Sequence, residues 1–144
     1  MIIPTCVIKF MELMLTVTCL ILHHYSYDLT DVPTLMLCSG TYIGFIVVLS
    51  GEIVGEAVSA AADAYIDAWW SAAGAALFAT CGALTLHDWR DVPNSQRRTF
   101  AQAVAVCSLA TAAFMLLDAV LALCSAHKDE ASIRSKCTKR SPRN

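Results

Sequence analysis

Apolar residues in this chain run in four long blocks, each bounded by turn, charge or aromatic signals. A bilayer core of roughly 30 Å takes about 20 mostly apolar residues in helix, and the blocks 6–22, 35–54, 68–86 and 100–126 meet that requirement. Pro4 opens the first block, and His23, His24 and Tyr25 close it with a polar-aromatic cluster suited to a headgroup boundary. It is the least apolar of the four, because Lys9 and Glu12 interrupt it. Pro33 precedes the second block, and Trp69, Trp70 and Trp89 mark the two interfaces of the third. After the fourth, the chain turns polar and basic over 127–144, a tail expected to be disordered.

The pattern predicts an all-α protein, a transmembrane four-helix bundle occupying 1–126, since irregular backbone in hydrocarbon would strand its polar groups. Lys128, Arg134, Lys136, Lys139, Arg140 and Arg143 in the tail, with Lys9 near the other end, predict that both termini face the cytosol. Arg90, Arg97 and Arg98 on the other side, and the acids Glu52 and Asp67 at the inner loop, run against that bias. The outer segments are then 25–34 and 87–99, too short for a folded ectodomain, and Asn94-Ser95-Gln96 is not a glycosylation sequon. The first block has no basic stretch before it, carries Glu12 and ends without a small-x-small site, so it is expected to be a retained helix rather than a cleaved signal.

Composition agrees: 57% of residues are hydrophobic, 15% charged, and the mean hydropathy is +0.58. A net charge of -2, with basic residues neither interleaved with aromatics nor spread over a surface, excludes nucleic acid as an expected partner. The seven cysteines fall in apolar blocks or tails, with no C-x-x-C pair, which points to packing thiols rather than a disulfide framework or a zinc site. Cys6, Cys124 and Cys137, near the cytosolic boundary, are candidates for lipidation.

Helices in lipid associate through close contact and buried polar links, which favours small residues at their interfaces. Gly40 and Gly44 form one G-x-x-x-G, Gly51 and Gly55 another, and all four lie near one face of the second helix. Gly74 and Gly82, with several alanines, supply small residues in the third. The glycine face is expected to pack within one chain, with homo- or hetero-oligomers as the alternative.

Asp118 lies well inside the fourth block, where a charge costs at least about 2.5 kcal/mol and normally has a partner. Lys9 and Glu12 fall at comparable depth, so a Lys9–Asp118 pair is expected to join the first helix to the fourth. The alternative makes Glu12, Asp118, Glu52 and Glu56 an ion path, which short unbroken spans without an inverted repeat argue against. His23, His24 and His87, with Asp28, Asp31, Asp88 and Asp91, gather at the outer surface, but their spacing matches no ligand pattern, so no metal is expected. No nucleophile-base, paired-carboxylate or phosphate-loop arrangement stands out, and neither catalytic residues nor a cofactor are expected.

Several stretches resemble the Snakeskin family, four-span proteins of arthropod smooth septate junctions with a MARVEL-like layout. They are Ala103-Val104 and Ser108-Leu109 leading to Leu116-Leu117-Asp118-Ala119-Val120-Leu121, Gly82-Ala83-Leu84 followed by His87 and Trp89, Ile8-Lys9-Phe10 and, more weakly, Gly44-Phe45. Glu12, where the family favours a basic residue, the short first outer loop and the acidic inner loop depart from the pattern and suggest a divergent paralogue. The resemblance implies a non-enzymatic scaffold at epithelial cell junctions whose partners are membrane lipid, other multispan junction proteins and further copies of itself. A small transporter or channel subunit is the second expectation, and a vesicle-trafficking tetraspan the third.

Overall fold

The computed structural model describes residues 2–26, 32–58 and 64–140. These residues form four helices, α1 (Ile2–Ser26), α2 (Val32–Ala57), α3 (Ala64–Asp88) and α4 (Gln96–Arg140). At about 1.5 Å per residue the first three are roughly 37–39 Å long, and all four are long and apolar enough to cross a membrane. Each helix packs beside the next, and α4 closes the ring against α1, with α3–α4 the most extensive contact and α2–α3 the least. The end of α1 meets the start of α2 through His23 and Ser39, and the start of α4 through Tyr25 and Phe100. The helices therefore alternate in direction, and the first and last described residues lie at the same end of the bundle.

Each helix turns one stripe inward. On α1 the stripe is Lys9, Glu12, Thr16, Cys19 and His23; on α2 it is Cys38, Tyr42, Phe45, Leu49 and Glu52. The spacing of three and four residues keeps each set on one face. The interior is consequently apolar at its centre, where Tyr42, Phe45 and Phe78 stack with centroids 5.5 and 5.6 Å apart beside Leu49, Val104 and Met115. Its terminal end is strongly polar. Outside, Val7, Met14, Val47, Val54, Trp69, Val106 and Leu116 are exposed. Charges inside and large apolar side chains outside invert the pattern of a water-soluble bundle and fit a lipid surround, so this is an integral membrane protein.

Glycine allows the closest approach in two places. A Cβ on Gly82 would lie 2.8 Å from Leu109 Cγ and 3.1 Å from the Ala105 carbonyl oxygen, so here α3 rides on the α4 backbone. A Cβ on Gly74 would meet Met115 Sδ at 2.5 Å and Phe45 Cε1 at 2.6 Å.

Two expectations need correction. The basic tail is not disordered from residue 127: α4 continues unbroken to Arg140, and Tyr65 donates a hydrogen bond to Glu130 Oε1 at 2.9 Å. No Gly or Pro interrupts that stretch, and Glu130 and Arg134 are oriented and spaced to support a helix. The glycine face of α2 does not pack within the chain either. Gly40, Gly44 and Gly51 are exposed, with nothing within 4 Å of a Cβ at any of them, because the inward stripe occupies the other side of the helix. Gly55, near the end of α2, is half-buried.

Candidate functional site

The polar end of the bundle is organised by Lys9, three residues into the apolar part of α1 and 2% exposed. Its ammonium lies 2.6 Å from Asp118 Oδ2 on α4, 2.7 Å from Asp67 Oδ1 on α3 and 3.0 Å from Glu52 Oε2 on α2. An ammonium carries three protons, which here serve the Asp118 and Asp67 carboxylates and the Ser71 hydroxyl, while Glu52 is held by charge at 3.0 Å. One side chain thus ties α1 to all three neighbours. Ser71 of α3 adds a bridge: its hydroxyl donates to Asp118 Oδ2 at 2.9 Å and accepts from Lys9 at 3.3 Å.

These residues reach one level because the helices alternate. Lys9 is near the start of α1 and Asp67 near the start of α3, while Glu52 is near the end of α2 and Asp118 precedes the lipid-to-water transition of α4. Glu12 is one turn deeper on the same α1 face, fully buried, with no hydrogen-bond partner for either carboxylate oxygen. Glu56, one turn further out than Glu52, is half-buried. Four carboxylates, those of Glu12, Glu52, Asp67 and Asp118, therefore surround a single ammonium.

The structure brings Lys9 and Asp118 together as the sequence suggests, and adds three residues not foreseen as partners. Glu52 and Asp67 lie at helix ends, where sequence alone cannot tell a wet carboxylate from a paired one, and Ser71 is an unremarkable small polar residue. Matching depths along alternating helices is the signal that identifies them.

The other candidate residues do not join this cluster. His23, 5% exposed at the opposite end, lies 3.2 Å from Ser39 Oγ and packs edge-on against Tyr42 at 5.6 Å. His24 packs on Tyr25, and the exposed His87 sits 3.7 Å from Asp88. Asp28 and Asp31 fall outside the described residues. Among the described residues no three of His, Cys, Asp and Glu converge as a metal site. All seven cysteines are free thiols: Cys19, Cys38 and Cys81 are buried, Cys6 and Cys107 half-buried, and Cys124 and Cys137 exposed.

Beside the glycines of α2 runs a lipid-facing groove of about 320 Å³ between α2 and α3, lined by Met36, Gly40, Gly44, Val48, Trp70 and Leu77. It exists because α2 and α3 have the smallest contact of any neighbouring pair in the ring. Chemically, the molecule offers a buried ion network that holds it together and a small-residue face that is open to contact.

Compared with known proteins, residues 5–125 match the family model described as Domain of unknown function (DUF7775). No curated protein and no solved structure matches the chain.

Proposed function

The chain belongs to the DUF7775 family, and we propose that it is a non-enzymatic multi-pass membrane scaffold acting through lateral helix-helix association. The observation that carries this reading is the outward glycine face: Gly40, Gly44 and Gly51 leave the α2 backbone uncovered within the chain, next to a groove wide enough to receive side chains. In lipid, such a surface gains from close backbone approach by another helix rather than from escape from water. The buried Lys9 network supports the same reading from the other side, because it fixes the four helices internally and leaves α2's outer face available.

The resemblance of Leu116-Leu117-Asp118 and its neighbours to the Snakeskin family supports a setting at epithelial cell junctions, with other multispan junction proteins, membrane lipid or further copies as partners. The basic face of the α4 extension supports a cytosolic position for both termini. The test is the paired variant Gly40→Leu and Gly44→Leu, expressed with a fluorescent tag in epithelial cells. Concentration at lateral cell contacts, lost in the variant while membrane insertion and monodispersity are kept, is the expected result. Intracellular puncta would favour a trafficking role, and contact localisation indifferent to the variant would refute association through α2.

A further inference from the structure

The Lys9 network leaves one buried acidic side chain unserved. The three ammonium protons serve Asp118, Asp67 and Ser71, Glu52 is paired through charge alone, and Glu12, fully buried beside them, has no hydrogen-bond partner on either oxygen. Its surroundings are specific. A cavity of about 10 Å³, room for a single water-sized sphere, is lined by Glu12, Glu52, Lys9 and Ser71, with Phe45 and Met115 on its apolar side. A carboxylate without a counter-charge is strongly disfavoured in so dry a place, and here one ammonium faces four carboxylates.

We infer that this cavity binds one small monovalent metal cation of sodium size, with Glu12 and Glu52 supplying charged oxygens and Ser71 a neutral one. The size of the cavity selects a single ion that has shed most of its water. The donor set selects its charge: a divalent ion takes six to eight oxygens or several carboxylates, and only two carboxylates, those of Glu12 and Glu52, line this cavity beside the Lys9 ammonium. The ion enters past Glu52, from the end of the bundle where the first and last described residues lie. It goes no further, because Phe45, Phe78 and Tyr42 fill the bundle from the cavity toward His23 at the opposite end. The cation is therefore held rather than conducted, and its charge completes the network that joins the four helices.

The test is binding of radioactive sodium to the full chain, purified in lipid nanodiscs. The expected result is saturable binding near one ion per chain, displaced by unlabelled sodium chloride but not by equal potassium or choline chloride. Glu12→Gln is expected to weaken it by at least about tenfold, the usual loss when a site's ligand set is impaired, and Glu56→Gln to leave it unchanged. If Glu12→Gln does not elute as wild type, Glu12→Asp, which draws the carboxylate back from the cavity, takes its place with the same expectation. Absence of saturable sodium binding, as a proton resident on Glu12 would give, overturns the inference. So does displacement by choline, or an equal loss in Glu56→Gln, either of which marks diffuse charge attraction instead of a site.

Discussion

Replacing Lys9 with Met keeps the length and apolar stem of the side chain and deletes its charge. Three ion pairs of 2.6, 2.7 and 3.0 Å then disappear at once, each to a different helix. The loss is larger than any contact suggests, because Asp118, 3% exposed and deep in α4, keeps only the Ser71 hydroxyl as a partner. Removing one member of a buried pair costs about 3–5 kcal/mol, and a lone charge at the centre of a membrane helix costs about 2.5–3.5 kcal/mol on insertion scales. The two ranges overlap at a loss of about 3–3.5 kcal/mol, a large share of the roughly 5–15 kcal/mol that holds an ordinary domain together. Reversible unfolding in mixed micelles, followed by helicity and tryptophan fluorescence, measures it. Asp118→Asn is expected to rescue part of the loss, so the double variant should be more stable than the sum of the singles by more than about 1 kcal/mol. A Lys9→Met loss below about 1 kcal/mol, or strict additivity with Asp118→Asn, would refute the view that this ammonium organises the bundle.

Other consequences can be checked separately. Gly82→Leu forces a side chain into Leu109 and the Ala105 carbonyl and should destabilise the chain by at least about 1–3 kcal/mol in the same assay, whereas Gly40→Leu, on the open face, should leave unfolding unchanged. Ser71→Ala removes the hydroxyl between Lys9 and Asp118 and should cost about 1–3 kcal/mol. In native detergent a bulky polar maleimide should label Cys137 rapidly and reach Cys19, Cys38 and Cys81 only after denaturation, read by intact mass. A chain cut after residue 126 should lose helicity by circular dichroism in proportion to the fourteen residues of α4 removed up to Arg140, and equal helicity would refute the extension.

The legibility of this fold in its sequence varies with the kind of information involved. The spans were readable because hydrocarbon sets a length that any membrane helix must meet, and α1 to α4 contain all four expected blocks. Lys9 and Asp118 stood out for the same reason, since a charge inside an apolar block is conspicuous. Glu52 and Asp67 did not, because their role depends on which helices alternate and how far each end is sunk. The rotation of α2 was present in the sequence but masked: Cys38, Tyr42, Phe45, Leu49 and Glu52 recur at three and four residues and mark the inner face, yet the two G-x-x-x-G patterns drew attention to the opposite side. The helical extension to Arg140 was hidden by composition, since a charged segment reads as disordered unless its helix propensity and the Tyr65 contact are weighed.

The division of labour across α2 has a consequence for how such a protein can assemble. Its inner stripe ends in Glu52, whose carboxylate must meet Lys9, so the helix cannot rotate about its axis without breaking an ion pair in a dry environment. The outer glycine face is therefore presented in one fixed direction, and a partner helix meets a preorganised surface rather than one it must first turn into place. Interior charge and exterior contact are linked through a single rigid rod: weakening the Lys9 network should loosen lateral association even though no residue of that network touches a partner. Lys9→Arg is the discriminating variant, since a guanidinium keeps the charge but is a larger, planar, rigid fork that does not fit the place of a compact ammonium set between three helices. Retained insertion with reduced association in Lys9→Arg, measured by energy transfer between tagged copies, is the expected outcome, and undiminished association would show that the two faces of α2 act independently.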